Sequence, residues 1–204
     1  MPSTTFHRLN PKKRGKFLNE AYIEFSINSF QGASVTNLVK TLAIAKGSVY
    51  QYFDDKEDLY RYLIEEIMRQ LNELLDKACP YDGEEFFTWY TKALVVQLKY
   101  FLSFPAHGIL LRNVNAGVVK IDRRLRTEIY MSLSSRINLA VSANLYNSEI
   151  NNYLLTQGPI LLFDLLTKDL NLARIASAGD PIYLDSKELL DAVNDWVSKL
   201  KSGL

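Results

Sequence analysis

Ser34-Val35-Thr36-Asn37-Leu38-Val39-Lys40-Thr41-Leu42-Ala43-Ile44-Ala45-Lys46-Gly47-Ser48-Val49-Tyr50-Gln51-Tyr52-Phe53 decides the fold. Ser34 is a good N-cap, with Asn37 in capping-box spacing, and Val35, Leu38, Val39 and Leu42 place one apolar face on a short helix. The pattern breaks at Ala43–Ala45. A second short helix is expected from Lys46 to Phe53, with Val49 and Phe53 turned inward. Two short helices joined by about three residues make a helix-turn-helix. The first braces across a phosphate backbone, and the turn sets the angle at which the second projects into a major groove.

Upstream, Asn10 caps a longer helix with Pro11 at its first position. Phe17, Leu18, Ala21, Tyr22 and Phe25 recur along it at helical spacing, and Asn28–Ala33 reads as a turn. The residues before Asn10, His7 among them, read as a solvated arm. Downstream, Asp54-Asp55 ends the second short helix, and Asp55 with Asp58 caps the next. From Lys56 the apolar stripe Leu59, Leu63, Ile67, Leu71, Leu74 and Ala78 runs about 20 residues, to the break at Cys79-Pro80-Tyr81-Asp82-Gly83. Helices are expected at roughly 84–104, 123–146, 148–170 and from Asp185 to near Gly203. No alternating strand pattern appears, so the fold class is all-α: a three-helix unit over 1–55 and a larger helical unit over 56–204, joined through the helix starting near Lys56.

Composition narrows the function. The chain has 204 residues, 48% of them hydrophobic and 23% charged, as expected for a globular protein. Its net charge of +1 is unevenly spread: residues 1–53 carry +5, residues 54–77 carry −4, and the rest balance. A basic N-terminal quarter points to a polyanion partner or to a solvated basic surface. Cys79 is the only cysteine, no secretory signal pattern or long uncharged apolar run is present, and a cytoplasmic location is expected with no membrane partner. No phosphate loop, metal-binding His-Glu-x-x-His, Cys-x-x-Cys or Gly-x-Ser-x-Gly occurs, and His7 and His107 are the only histidines. The chain is therefore not expected to be an enzyme or to carry a metal or cofactor. Glu84-Glu85 sits at a helix start, where acids favour the dipole.

Residues 17–59 resemble the DNA-binding domain of the tetracycline-repressor-like (TetR) regulators. Phe17, Leu18, Ala21 and Phe25 match its apolar frame, and Ser34-Val35-x-x-Leu38-Val39 matches its second helix. Lys46-Gly47-Ser48-Val49-Tyr50-Gln51-Tyr52-Phe53, then Lys56-Glu57-x-Leu59, is the most specific match. The resemblance implies that Lys46, Gly47, Ser48 and Gln51 face bases or nearby phosphates. It implies that Tyr50 and Lys56 bind phosphate, with Thr36 and Tyr52 as further contacts; only base contacts specify sequence. Three positions depart from the family pattern. Ala43 stands at the turn glycine, Ala45 replaces the hydroxyl that caps the reading helix, and Ser29 stands where glycine is common.

A single helix-turn-helix covers little DNA, so a homodimer on a palindromic operator is expected, with half-sites roughly 34 Å or more apart. The last two helices are rich in apolar residues, and Leu155, Leu162, Phe163, Leu166, Leu189, Val193, Trp196 and Leu200 are the candidate dimer contacts. The middle helices concentrate aromatics. The family places a small-molecule effector in this region, which makes Trp89, Tyr90, Gln97, Phe101, Phe104, His107 and Arg112 candidates for a ligand pocket, although an aromatic stripe at helical spacing is core more often than pocket. The implied function is a ligand-responsive repressor that binds double-stranded DNA. The alternative is a helical protein-interaction or small-molecule-binding module that does not bind DNA.

Overall fold

Local capping places the first helices where the sequence puts them. The computed structural model describes residues 2–115 and 152–202, and its first five helices are α1 (Thr4–His7), α2 (Pro11–Gly32), α3 (Val35–Leu42), α4 (Lys46–Tyr52) and α5 (Lys56–Ala78). The Asn10 carboxamide oxygen accepts from Lys12 N at 2.9 Å, and an Asp55 carboxylate oxygen accepts from Asp58 N at 2.8 Å. Ser34 Oγ accepts from Asn37 N at 3.3 Å. The reciprocal bond expected from Asn37 comes instead from α2, where Glu24 Oε1 accepts from Ser34 N at 2.8 Å and ties α3 to α2.

The remaining described helices are α6 (Phe86–Ser103), α7 (Pro105–Asn115), α8 (Asn152–Thr167), α9 (Leu172–Ala178) and α10 (Ser186–Ser202). Glu85 caps α6 through Phe87 N and Thr88 N at 3.1 and 2.9 Å, which accounts for the paired acids without chemistry. Pro105 opens α7 after a sharp bend of 111°. Neither α7 nor the short helix α9 had a sequence expectation, and the helix expected over 123–146 lies outside the described residues. No strand occurs among the described residues, and no single helix among them is long and apolar enough to cross a membrane.

One apolar interior runs through both units. α2 packs on α3, α5, α7 and α9, while α6 packs on α5, α7, α8 and α10. Gly108 lets α7 approach α8 closely, since a Cβ there would stand 2.7 Å from the Phe163 ring.

Two expectations change. Residues 4–7 are not a solvated arm. They form α1, and Phe6 is fully buried against Phe17, Tyr52, Phe53 and Tyr62. A single buried ring is a tertiary contact and leaves no periodic trace in so short a segment. The turn expected at 28–33 narrows to a break at Ser29 (φ 56°, ψ 178°), with helical assignment continuing to Gly32.

The turn of the helix-turn-helix shows why its alanines are unusual. Ala43 adopts the left-handed conformation (φ 53°, ψ 45°) that ends α3, and Ala45 makes no side-chain cap to α4. A left-handed L-residue costs roughly 1–2 kcal/mol, partly offset by the extra freedom glycine gives the unfolded chain. Ala43→Gly is therefore expected to raise stability by about 0.5–1 kcal/mol, and Ala45→Ser by about 1 kcal/mol. Urea unfolding checks both, and a loss of stability in Ala43→Gly would contradict the turn geometry.

Candidate nucleic-acid interface and the helices behind it

α4 is only seven residues long and lacks a side-chain N-cap, so its position depends on what it is tied to. Val49 and Phe53 are buried and anchor its inner face. Its last carbonyls are met from α1: Ser3 N donates to Tyr52 O at 2.8 Å, and Ser3 Oγ donates to Gln51 O at 2.6 Å. Tyr52 is half-buried with its ring against Phe6 and Phe17, which makes it a packing residue as much as a surface one.

The opposite face is open. Lys46, Gly47, Tyr50 and Gln51 are exposed and Ser48 is partly so, while Thr36 is exposed on α3. Lys12 and Lys13 at the start of α2 are exposed as well. A Cβ on Gly47 would meet nothing within 4 Å, so the protein's own packing does not require glycine there.

Lys56 sits differently. Its ammonium donates to Phe30 O at 2.8 Å, Gln31 O at 3.3 Å and Ala33 O at 3.2 Å, and lies 4.7 Å from the centre of the Phe30 ring. All three donors are engaged at the end of α2, so Lys56 caps that helix and clamps it to α5. The phosphate role implied by resemblance has no free donor in this conformation.

Behind the interface, α2 meets the second unit through aromatic side chains. The His107 ring on α7 packs 4.1 Å from the Tyr22 ring on α2, centroid to centroid. His107 Nδ1 and the Tyr100 hydroxyl on α6 share a hydrogen bond of 2.7 Å, and that hydroxyl also donates to Gln70 Oε1 on α5 at 3.0 Å. Gln70 in turn donates to Glu66, which Arg69 also holds. Three helices therefore meet through these polar groups, and α2 joins them by the packing of the Tyr22 ring. Burial pushes the Tyr22 and Tyr100 hydroxyls upward from their ordinary pKa. The same burial drives His107 down to about 4, with the Glu66 carboxylate opposing it.

Most of the ligand-pocket candidates lie inside the core. Trp89, Tyr90, Gln97, Phe101 and His107 are buried, with Trp89 Nε1 donating to Cys79 O at 3.1 Å. Arg112 is half-buried and pairs with Asp164 on α8 at 3.2 Å. Only Phe104 stands out, 51% exposed. It lines a groove of about 570 Å³ between α5 and α6 that the sequence did not reveal. Aromatic residues at helical spacing look alike whether they fill a core or line a cavity.

The dimer candidates need a similar correction. Leu162, Phe163, Leu189, Val193 and Leu200 face this chain's own core; Leu166 and Trp196 are partly buried against it, and the Leu155 side chain lies outside the described residues. α8 is apolar nearly all round, so its sequence could not say which stripe the core would take. Among the described residues of these two helices, the large apolar side chains left outward are Leu161 and Leu165 on α8 and Leu190 on α10.

An α2–α4 unit with the inner side of its third helix buried and the outer side free is the helix-turn-helix class of DNA-binding fold. Residues 17–63 match the family model for bacterial regulatory proteins, tetR family. Over that segment the chain is similar to the DNA-binding domain of tetR-family regulators. The fold extends over the whole chain. A TetR family transcriptional regulator from Chloroflexus aurantiacus J-10-fl is 22% identical, with 100% of this chain and 98% of that one covered and a TM-score of 0.75. A TetR-like transcriptional regulator from Rhodococcus sp. RHA1 is 16% identical, covering 97% and 100%, with a TM-score of 0.65. The transcriptional regulator FadR from Bacillus subtilis, in complex with stearoyl-CoA, is 15% identical, covering 93% and 98%, with a TM-score of 0.63. No curated protein matches the chain.

His107 gives the junction a pH signature. At neutral pH its imidazole is uncharged in both folded and unfolded chains. Between the ordinary value of 6.5 and about 4, the unfolded chain takes up a proton that the folded chain refuses. Stability therefore falls as pH drops through that window, by about 3 kcal/mol for a shift of this size. Urea unfolding at pH 7 and pH 4.5 should show a larger loss for the wild type than for His107→Gln. Equal losses would place the imidazole in water.

Proposed function

We propose that the chain is a ligand-responsive repressor that binds a palindromic DNA operator as a homodimer. The observation that carries this reading is the open face of α4: Lys46, Ser48, Tyr50 and Gln51 point away from a helix whose inner side is locked by Val49, Phe53 and the α1 clasp. Residues 1–55 act as the reading unit, and 56–204 as the effector and dimer unit. Gln51 suits bidentate contact to adenine, Lys46 suits guanine or phosphate, and Tyr50 suits phosphate. Gly47, which internal packing leaves unconstrained, permits close approach of a sugar-phosphate backbone at the start of α4. Action on DNA places the protein in the cytoplasm. Similarity to a regulator solved with stearoyl-CoA supports a small-molecule effector held by the second unit.

The purified protein, offered a random-sequence duplex pool, is expected to select a two-fold-symmetric site. Against that site Gln51→Ala should cost roughly 1–3 kcal/mol and relax preference at one base pair in each half. Gly47→Ala should weaken binding while leaving the melting temperature unchanged or higher, because alanine favours the helix by about 1 kcal/mol. Full affinity in both variants would remove α4 from the interface.

The dimer contact is placed on the apolar residues the fold leaves outward, Leu161, Leu165 and Leu190, rather than on those already in the core. Leu165→Glu should yield a folded monomer by sedimentation, with DNA affinity much reduced. A Leu165→Glu protein that stays dimeric would rule that face out.

A further inference from the structure

The groove between α5 and α6 shares no residue with the DNA-facing or dimer surfaces proposed above. It has a volume of about 570 Å³, within the range of small-molecule sites. Leu74 on α5, Val96 on α6 and Phe104 at the α6–α7 bend supply apolar walls. Two ammonium groups stand at its sides, Lys77 on α5 and Lys99 on α6, both exposed and neither in an ion pair among the described residues. Glu73, the one carboxylate of the lining, is already paired with Arg69. An apolar trough with two unpaired cations on opposite walls, its one acid held by an arginine shared with Glu66, is complementary to one kind of molecule: an aliphatic chain ending in a single anionic head.

We propose that this groove binds an amphipathic carboxylate, with the chain along Leu74, Val96 and Phe104 and the head between Lys77 and Lys99. The assignment rests on the effector reading above and deepens it by naming the site and the ligand class. Its wall connects to the reading unit. Tyr100 lines the groove and bonds His107, whose ring lies on Tyr22 of α2, and Phe104 stacks on the same His107 at 5.3 Å with planes 17° apart. A chain wedged against Phe104 and Tyr100 therefore presses on the side chains that fix α7 against α2. Occupancy then biases the spacing of the two reading helices in the dimer.

The test uses the full-length protein with dodecanoate, kept below its micelle concentration, and dodecanol as the uncharged control. Calorimetry should show saturable dodecanoate binding that a Lys77→Gln/Lys99→Gln double variant weakens by about tenfold or more. Dodecanol should bind less tightly and be indifferent to that change. Both lysines are exposed, so the variant should melt with the wild type, and a Val96→Trp variant that fills the trough should abolish binding of both compounds. Dodecanoate should also change wild-type affinity for the selected duplex, and Tyr100→Phe should bind dodecanoate yet reduce that change. No dodecanoate binding, or binding that ignores both the lysines and Val96→Trp, overturns the site. Equal affinity for dodecanoate and dodecanol overturns the ligand class. DNA binding without additive is scored separately, so failure of the DNA-binding reading and failure of the groove are read from different experiments.

Discussion

A seven-residue helix cannot hold its own orientation, and α4 must be held by aromatic packing around Phe53. That ring is buried among Phe6, Phe17 and Tyr62, with centroid separations of 4.9, 6.0 and 5.6 Å. Aromatic pairs at these distances add to the stabilisation that burial alone provides. The cluster draws one ring from each of four segments: α1, α2, the end of α4 and α5. Its consequence is directional. With the inner side of α4 locked, Lys46, Tyr50 and Gln51 have only solvent, or a partner, to face.

The same economy of contacts joins the two units. α2 reaches from the basic start of the reading unit into the middle of the larger one, where Tyr22 meets His107. α5 runs alongside it and carries Gln70 into the same polar group. A shift of α7 relative to α5 has to be accommodated at α2, because the interior at this point is close-packed. This is the physical route by which an event at the α5–α6 groove can be felt at α4.

What could be read from the sequence was mostly local. Asn10-Pro11, Ser34 and Asp55 mark helix starts through bonds spanning two or three residues, and all three occur. The left-handed turn at Ala43 was implied by the resemblance, through the glycine usual at that position, although alanine disguises it. Features depending on a distant partner were hidden. Phe6 looked like part of an arm because its partners lie up to 56 residues away. Lys56 looked like a free cation because the carbonyls that hold it come from 23–26 residues upstream. In α6 and α8, apolar side chains on several faces gave no indication of which would meet the core. The groove itself is formed from gaps between two helices, and no residue pattern records a gap.

Backbone hydrogen exchange with and without the selected duplex tests the central claim most directly, because it reports which helix the DNA covers. Amides of residues 45–52 are expected to exchange more slowly in the complex, along with those at the start of α2. Protection confined to the larger helical unit, or a protein that selects no duplex at all, would contradict the assignment of α4 as the reading helix.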